Sequence, residues 1–127
     1  MHEKRIEIRW RDLDAMNHVN NAVYLTYLEE ARDEWLERSL GEAGASWRYV
    51  VARVAIDFRR ELSLEDDEVV ASCTLARLGT SSVTTREELR AGGELAAEAE
   101  AVLVAVDQES GTPRPLSDGE RGALGGG

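Results

Sequence analysis

Ile6, Ile8 and Trp10 alternate with Arg5, Glu7 and Arg9, so residues 4–10 predict a half-buried strand. Residues 11–19 are polar and irregular. From Asn21 the period changes: Tyr24, Tyr27, Leu28, Ala31, Trp35 and Leu36 recur every three or four positions. Glu29, Glu30, Asp33, Glu34 and Glu37 fall mainly on the other side. This predicts an amphipathic helix over residues 21–40, stopped by Gly41 and about 30 Å long. Its single apolar face requires a partner surface.

Period-two stretches supply that surface. They comprise Val50, Ala52, Val54, Ile56 and Phe58; then Val69, Ala71, Cys73 and Leu75; then, less cleanly, Val83, Thr85, Glu87 and Leu89. A long strand follows from Leu95 to Val106. Turns are expected at Glu65-Asp66-Asp67, Gly79-Thr80, Gly92-Gly93 and Gly111-Thr112-Pro113, the glycine pair suiting a tight hairpin. One strand, a long helix and four strands with short connections give an α+β protein, an antiparallel five-stranded sheet packed on one helix. No internal repeat or linker interrupts it. A short helical turn is expected at Ser117–Leu124, inside a single domain of residues 1–124, with residues 125–127 a disordered tail.

Composition narrows the functions. The chain has 127 residues, 43% of them hydrophobic and 31% charged, which suits one soluble domain. A net charge of −10 argues against nucleic-acid binding. No apolar run approaches the length of a membrane span, and MHEKRIEIRW lacks the apolar core of a signal peptide, so a cytoplasmic protein is expected. The single cysteine, Cys73, excludes an internal disulfide framework and a multi-cysteine zinc site; mid-strand, it reads as core.

The chemistry concentrates at the helix entrance, in RWRDLDAMNHVNN. Asn20 or Asn21 is placed to cap the helix. Asp12 and Asp14 suit turn residues bonding their own backbone. Asp14 also lies just upstream of a helix N-terminus, whose free N–H groups, near Val23 and Tyr24, could hold an oxyanion beside a carboxylate base or nucleophile. His18 reads either as a packing residue or as a group orienting substrate, water or Asp14. Asp12, Asp14 and His18 make a poor metal set, because the only other histidine is His2. No G-x-S-x-G elbow, dinucleotide fingerprint or Walker loop occurs.

The stretch Arg9–Arg32 closely resembles the first strand, loop and helix of hotdog-fold acyl-CoA thioesterases of the 4-hydroxybenzoyl-CoA thioesterase type. Its D-L-D and H-V-N-N segments are also similar to those of acyl-ACP thioesterases. Asp57-Phe58-Arg59-Arg60-Glu61-Leu62 with Glu68-Val69 resembles the family's second and third strands, and Leu78–Ser82 falls where the family turns into the next. Asn17 stands where many relatives carry glycine, and Met16 where acyl-ACP enzymes carry asparagine.

The resemblance implies a hotdog fold and hydrolysis of an acyl-CoA thioester to free acid and CoA, with no metal or cofactor. It implies catalysis by Asp14 as base or nucleophile, assisted by His18. Substrate would be contacted by Asn20, Asn21, Ser81 and Ser82. Arg59, Arg60, Arg77 and Arg86 are the candidates for the CoA phosphates; adjacent Arg59 and Arg60 point to opposite faces, so only one serves a given site directly. Two open sheet edges call for a homodimer, and the family implies a dimer of dimers with shared sites. The competing class is a non-catalytic acyl-binding or assembly hotdog protein.

Overall fold

The computed structural model describes residues 1–125. In chain order it contains β1 (His2–Glu7), α1 (Asn21–Leu40), β2 (Tyr49–Phe58), β3 (Glu68–Leu78), β4 (Ser82–Ala91), β5 (Glu94–Ala105) and α2 (Asp118–Gly125), with short 3-10 turns at Trp10–Asp12, Gly41–Ser46 and Leu64–Asp66. The strands form one sheet of order β1-β3-β4-β5-β2, each pair antiparallel. Helix α1 lies across its inner face, the hotdog arrangement.

Helix α1 has the expected bounds for the expected reasons. Asn20 caps it, its side-chain oxygen accepting the Ala22 N–H at 2.8 Å, and Gly41 ends it at φ 51°. The apolar stripe Tyr24, Tyr27, Leu28, Ala31, Trp35, Leu36 and Leu40 is buried. It meets the inner face of the sheet, where Val69, Ala71, Cys73, Val83, Leu89 and Leu103 are fully covered. Each such leucine contributes about 1.5–3 kcal/mol by leaving water. The Gly92-Gly93 turn joins β4 to β5 with φ of 56° and 83°, values that side chains resist in tandem.

Two charges also sit in this core. Arg32 is 3% exposed and Glu87 0%. They form a two-bond ion pair, Nε to Oε2 at 2.8 Å and Nη2 to Oε1 at 2.9 Å, to which the Thr85 hydroxyl adds a bond at 2.7 Å. Burial alone would lower the Arg32 pKa, but the Glu87 bonds outweigh it and hold the guanidinium above its ordinary value. Burial, with the Glu87 carboxylate second, pushes the Cys73 thiol well above the usual range, so Cys73 is inert core as expected. The pair lies at the seam between the core cluster holding Leu28, Ala31 and Leu89 and the one holding Trp35, Leu36 and Val83.

The ends of the elements differ from expectation. Strand β1 stops at Glu7, and Ile8, still buried, donates its N–H to the Asp67 carbonyl. The alternation breaks there, and Trp10 starts a 3-10 turn with 79% of its surface exposed. In β2 the register slips between Val51 and Arg53, so Val50 and Ala52 lose phase with Val54 and Ile56. Val50, Val51 and Phe58 are left 50%, 42% and 44% exposed along an edge strand. Ser117 and Glu120 cap α2 reciprocally, and Gly125, expected in a disordered tail, is its last residue; residues 126–127 of that tail lie outside the described residues.

Candidate active site

The loop between β1 and α1 is closed by its own backbone. Leu13 pairs with Val19 as an isolated antiparallel bridge, and Asp14 N–H bonds the His18 carbonyl at 2.8 Å. The Asn17 N–H returns to the Asp14 carbonyl, and Asn17 itself has φ 62°. That left-handed geometry explains why a family position often occupied by glycine accepts asparagine, which visits the region more readily than most residues. Val19 N–H to Leu62 O at 2.7 Å and Asn20 N–H to Asp12 O at 2.9 Å tie the loop to the β2–β3 connection and to its own start.

The two aspartates differ in their engagement. Asp12 is occupied: its Oδ2 accepts the Arg9 N–H at 3.0 Å and the Tyr27 hydroxyl at 2.6 Å. Burial first, and this bond second, drive the Tyr27 phenol far above its ordinary pKa, so it remains a donor. Asp14 is exposed, and its Oδ1 accepts backbone N–H groups from Met16 at 2.8 Å and His18 at 3.3 Å. This is the turn-forming bond that a loop aspartate favours. It aims the carboxylate and leaves Oδ2 with no hydrogen bond and no cation among the described residues.

The His18 ring does not touch Asp14. Its Nε2 lies 3.2 Å from Glu61 Oε2, and only its backbone reaches the Asp14 carboxylate. Glu61 is an acid that nothing in the sequence singled out. One of the two expected oxyanion donors is engaged within the turn itself. The Val23 N–H is donated to the Asn20 carbonyl at 2.8 Å. The Asn21 N–H, earlier in the same turn, has no acceptor among the described residues. Asn20 is committed to its cap, so as a substrate contact it retains only its amide NH₂.

Tyr24, expected as core, also clamps. Its hydroxyl donates to Arg60 O and accepts from Leu62 N–H, both at 2.9 Å, while its ring meets Phe58 edge-on at 5.2 Å. The signal for this was tyrosine in place of phenylalanine at a buried position, since a buried hydroxyl needs partners.

The arginines expected to meet CoA phosphates are dispersed. Arg59 pairs with Glu98 at 3.3 Å and Asp57 at 3.7 Å. Arg60 pairs with Asp66 at 2.8 Å and Glu94 at 3.5 Å. Both are therefore already neutralised. Arg86 sits in a shallow depression of about 110 Å³ with Asp57, Glu88, Glu98 and Glu100, on the sheet face away from α1. Arg77, Ser81 and Ser82 lie at the far end of β3 and β4, about 33 Å of strand from the Glu68 end that adjoins the Asp14 loop. One chain does not bring them to Asp14; they could reach such a site only from a second copy. Among the described residues, no group of three or more His, Cys, Asp or Glu side chains is placed to hold a metal ion. No helix there is long and apolar enough to cross a membrane.

Known proteins share this arrangement. Residues 8–124 match the family model of the thioesterase-like superfamily. The chain is 32% identical over 112 residues to the long-chain acyl-CoA thioesterase FadM of Escherichia coli K12, covering 83% of each. It is 28% identical over 115 residues to the acyl-CoA thioester hydrolase YbgC of Escherichia coli O6:H1, covering 87% of this chain and 86% of that one. A thioesterase from Thermus thermophilus, solved with coenzyme A and zinc, superposes with a TM-score of 0.84 at 38% identity, over 97% of this chain and 90% of that one. With a sheet, a helix entrance and a sequence that agree along nearly its whole length, the chain belongs to the thioesterase-like superfamily.

Proposed function

We propose that the protein hydrolyses an acyl-CoA thioester to a free acid and CoA, with Asp14 as the catalytic carboxylate. The observation that carries this reading is the state of Asp14: exposed, aimed by two backbone N–H bonds through Oδ1, and unengaged at Oδ2. The similarity to FadM and YbgC supplies the substrate class.

Acting as base, Asp14 takes a proton from water as the water oxygen attacks the thioester carbonyl carbon. The carbonyl π pair moves to oxygen, and the resulting anion is stabilised by the free Asn21 N–H at the positive end of α1. Collapse breaks the carbon–sulfur bond, CoA leaves as thiolate, and the proton held by Asp14 returns to it. Acting as nucleophile, Asp14 would itself attack, the carbon–sulfur bond would break to release CoA as thiolate, and water would cleave the resulting acyl anhydride to the free acid and the Asp14 carboxylate. Both routes need the same free oxygen. His18, its ring beside Glu61, would orient the attacking water in this reading.

We also propose that the working unit is at least a homodimer, joined along β2. Its exposed Val50, Val51 and Phe58 form an apolar margin beside unpaired backbone. The test of function is thiol release from a panel of aliphatic and aromatic acyl-CoA esters. Turnover of at least one is expected; tight binding of acyl-CoA with no thiol released would favour the non-catalytic acyl-binding class.

A further inference from the structure

One apolar and basic patch has no role in the chemistry above. Trp10 is 79% exposed, Leu64 45%, and between them lies a cavity of about 330 Å³ lined by Trp10, Leu13, Asn17, Ser63, Leu64 and Glu65. Large aromatics are normally covered unless they meet something. On either side of Trp10, Arg9 and Arg11 are exposed and form no ion pair among the described residues. By contrast, Arg5, Arg53, Arg59, Arg60 and Arg114 each have a carboxylate within reach. In a chain of net charge −10, these two unneutralised arginines, next to a bare indole in the chain, offer local positive charge to an anion with an aromatic face.

We infer that this patch docks the 3′-phosphorylated adenosine diphosphate end of the CoA thioester, adenine on Trp10 and phosphates on Arg9 and Arg11. The inference rests on the acyl-CoA reading and assigns the nucleotide to the catalytic loop itself instead of the strand arginines. Base–indole stacking is tolerant of geometry, and guanidinium groups suit phosphates as paired donors. Asn17, Ser63 and Glu65 give the cavity polar groups for the exocyclic amine of adenine. The reach is suitable. Asp14 is four positions along the chain from Trp10, at most about 14 Å when extended, a span that the pantetheine arm between thioester and phosphates can bridge. An acidic carrier protein fits less well, because its larger footprint would spread over the exposed Glu61 and Asp67 beside the patch.

The experiment uses the full-length protein, Trp10→Ala and the double variant Arg9→Ala with Arg11→Ala. Calorimetric titration with adenosine 3′,5′-bisphosphate should show saturable binding that weakens about tenfold or more in both variants. In parallel, the ratio of kcat/KM for an acyl-CoA to that for the matching acyl-pantetheine ester, which lacks the nucleotide, should fall about tenfold. Nucleotide binding lost in the variants supports the site even if no ester is hydrolysed, in which case only the proposed function fails. Hydrolysis of acyl-CoA with an unchanged ratio overturns the site and leaves the function standing. Loss of turnover on an acyl-carrier-protein substrate alone, or a changed sedimentation coefficient in Trp10→Ala, would reassign the patch to a protein partner or a second copy and also overturn it.

Discussion

At the scale of single residues, the entrance loop separates two aspartates that look equivalent in D-L-D. Asp12 is consumed by Tyr27 and the Arg9 N–H; Asp14 keeps a free oxygen. Asp14→Asn should therefore lower kcat/KM for an acyl-CoA by roughly 10²–10⁴-fold while the melting temperature stays near wild type. Retention of more than about a tenth of the activity would remove Asp14 from the mechanism, judged against that range. His18 is a milder case. With its ring on Glu61, His18→Ala should reduce kcat by a smaller factor than Asp14→Asn and leave KM close to unchanged. An unaltered rate accompanied by a large fall in melting temperature would make the ring a packing group. The motif singled out Asp14 before any geometry was known, and the geometry adds that one of its oxygens is free. What could not be read was which N–H groups remain free, because that depends on whether the first turn closes on the Asn20 carbonyl or opens away from it.

At the scale of elements, periodicity gave α1 its limits and placed all five strands, since burial of one face imposes the period along each. It failed where burial is lost or the register slips: past Ile8, where Trp10 turns outward, and along β2, where the bulge shifts the phase. It also missed the Arg32–Glu87 pair. Each charge occupies a core position within its own element, and nothing local to either reveals the partner across the core. The pair makes a prediction that neither residue makes alone. Glu87→Gln leaves Arg32 buried without a counter-charge and should destabilise the protein by roughly 3–5 kcal/mol in urea unfolding. Replacing both, Arg32→Met with Glu87→Leu, should recover most of that loss, because the desolvation cost of both charges disappears. A double variant no more stable than Glu87→Gln would show that the pair fixes the seam between the two core clusters in a way apolar packing cannot.

At the scale of the whole molecule, the sheet has two free margins, β1 and β2, of unequal character. Glu3, Arg5 and Glu7 are exposed on β1, whereas β2 exposes Val50, Val51 and Phe58. Charged margins resist pairing and apolar ones invite it, so β2 is the edge at which two copies should join. Sedimentation at micromolar concentration should report a dimer or a higher even assembly, and Val51→Lys should shift it toward monomer with loss of activity. A wild-type protein that sediments as an active monomer would defeat this.

The strand order has a consequence for synthesis on the ribosome. Strand β2 pairs only with β5, so Tyr49 waits for Ala105, and Phe58 for Ala97, before either has a neighbour. A nascent chain that ends at the Gly92-Gly93 turn holds its second strand complete, apolar and unpaired, so the native state is reachable only after nearly the whole chain has emerged. Stalled chains released at residue 93 should be protease-sensitive throughout β2, and chains extended through residue 106 resistant. Such timing leaves an adhesive strand open during translation, and the proposed dimerisation along that same strand would later conceal it.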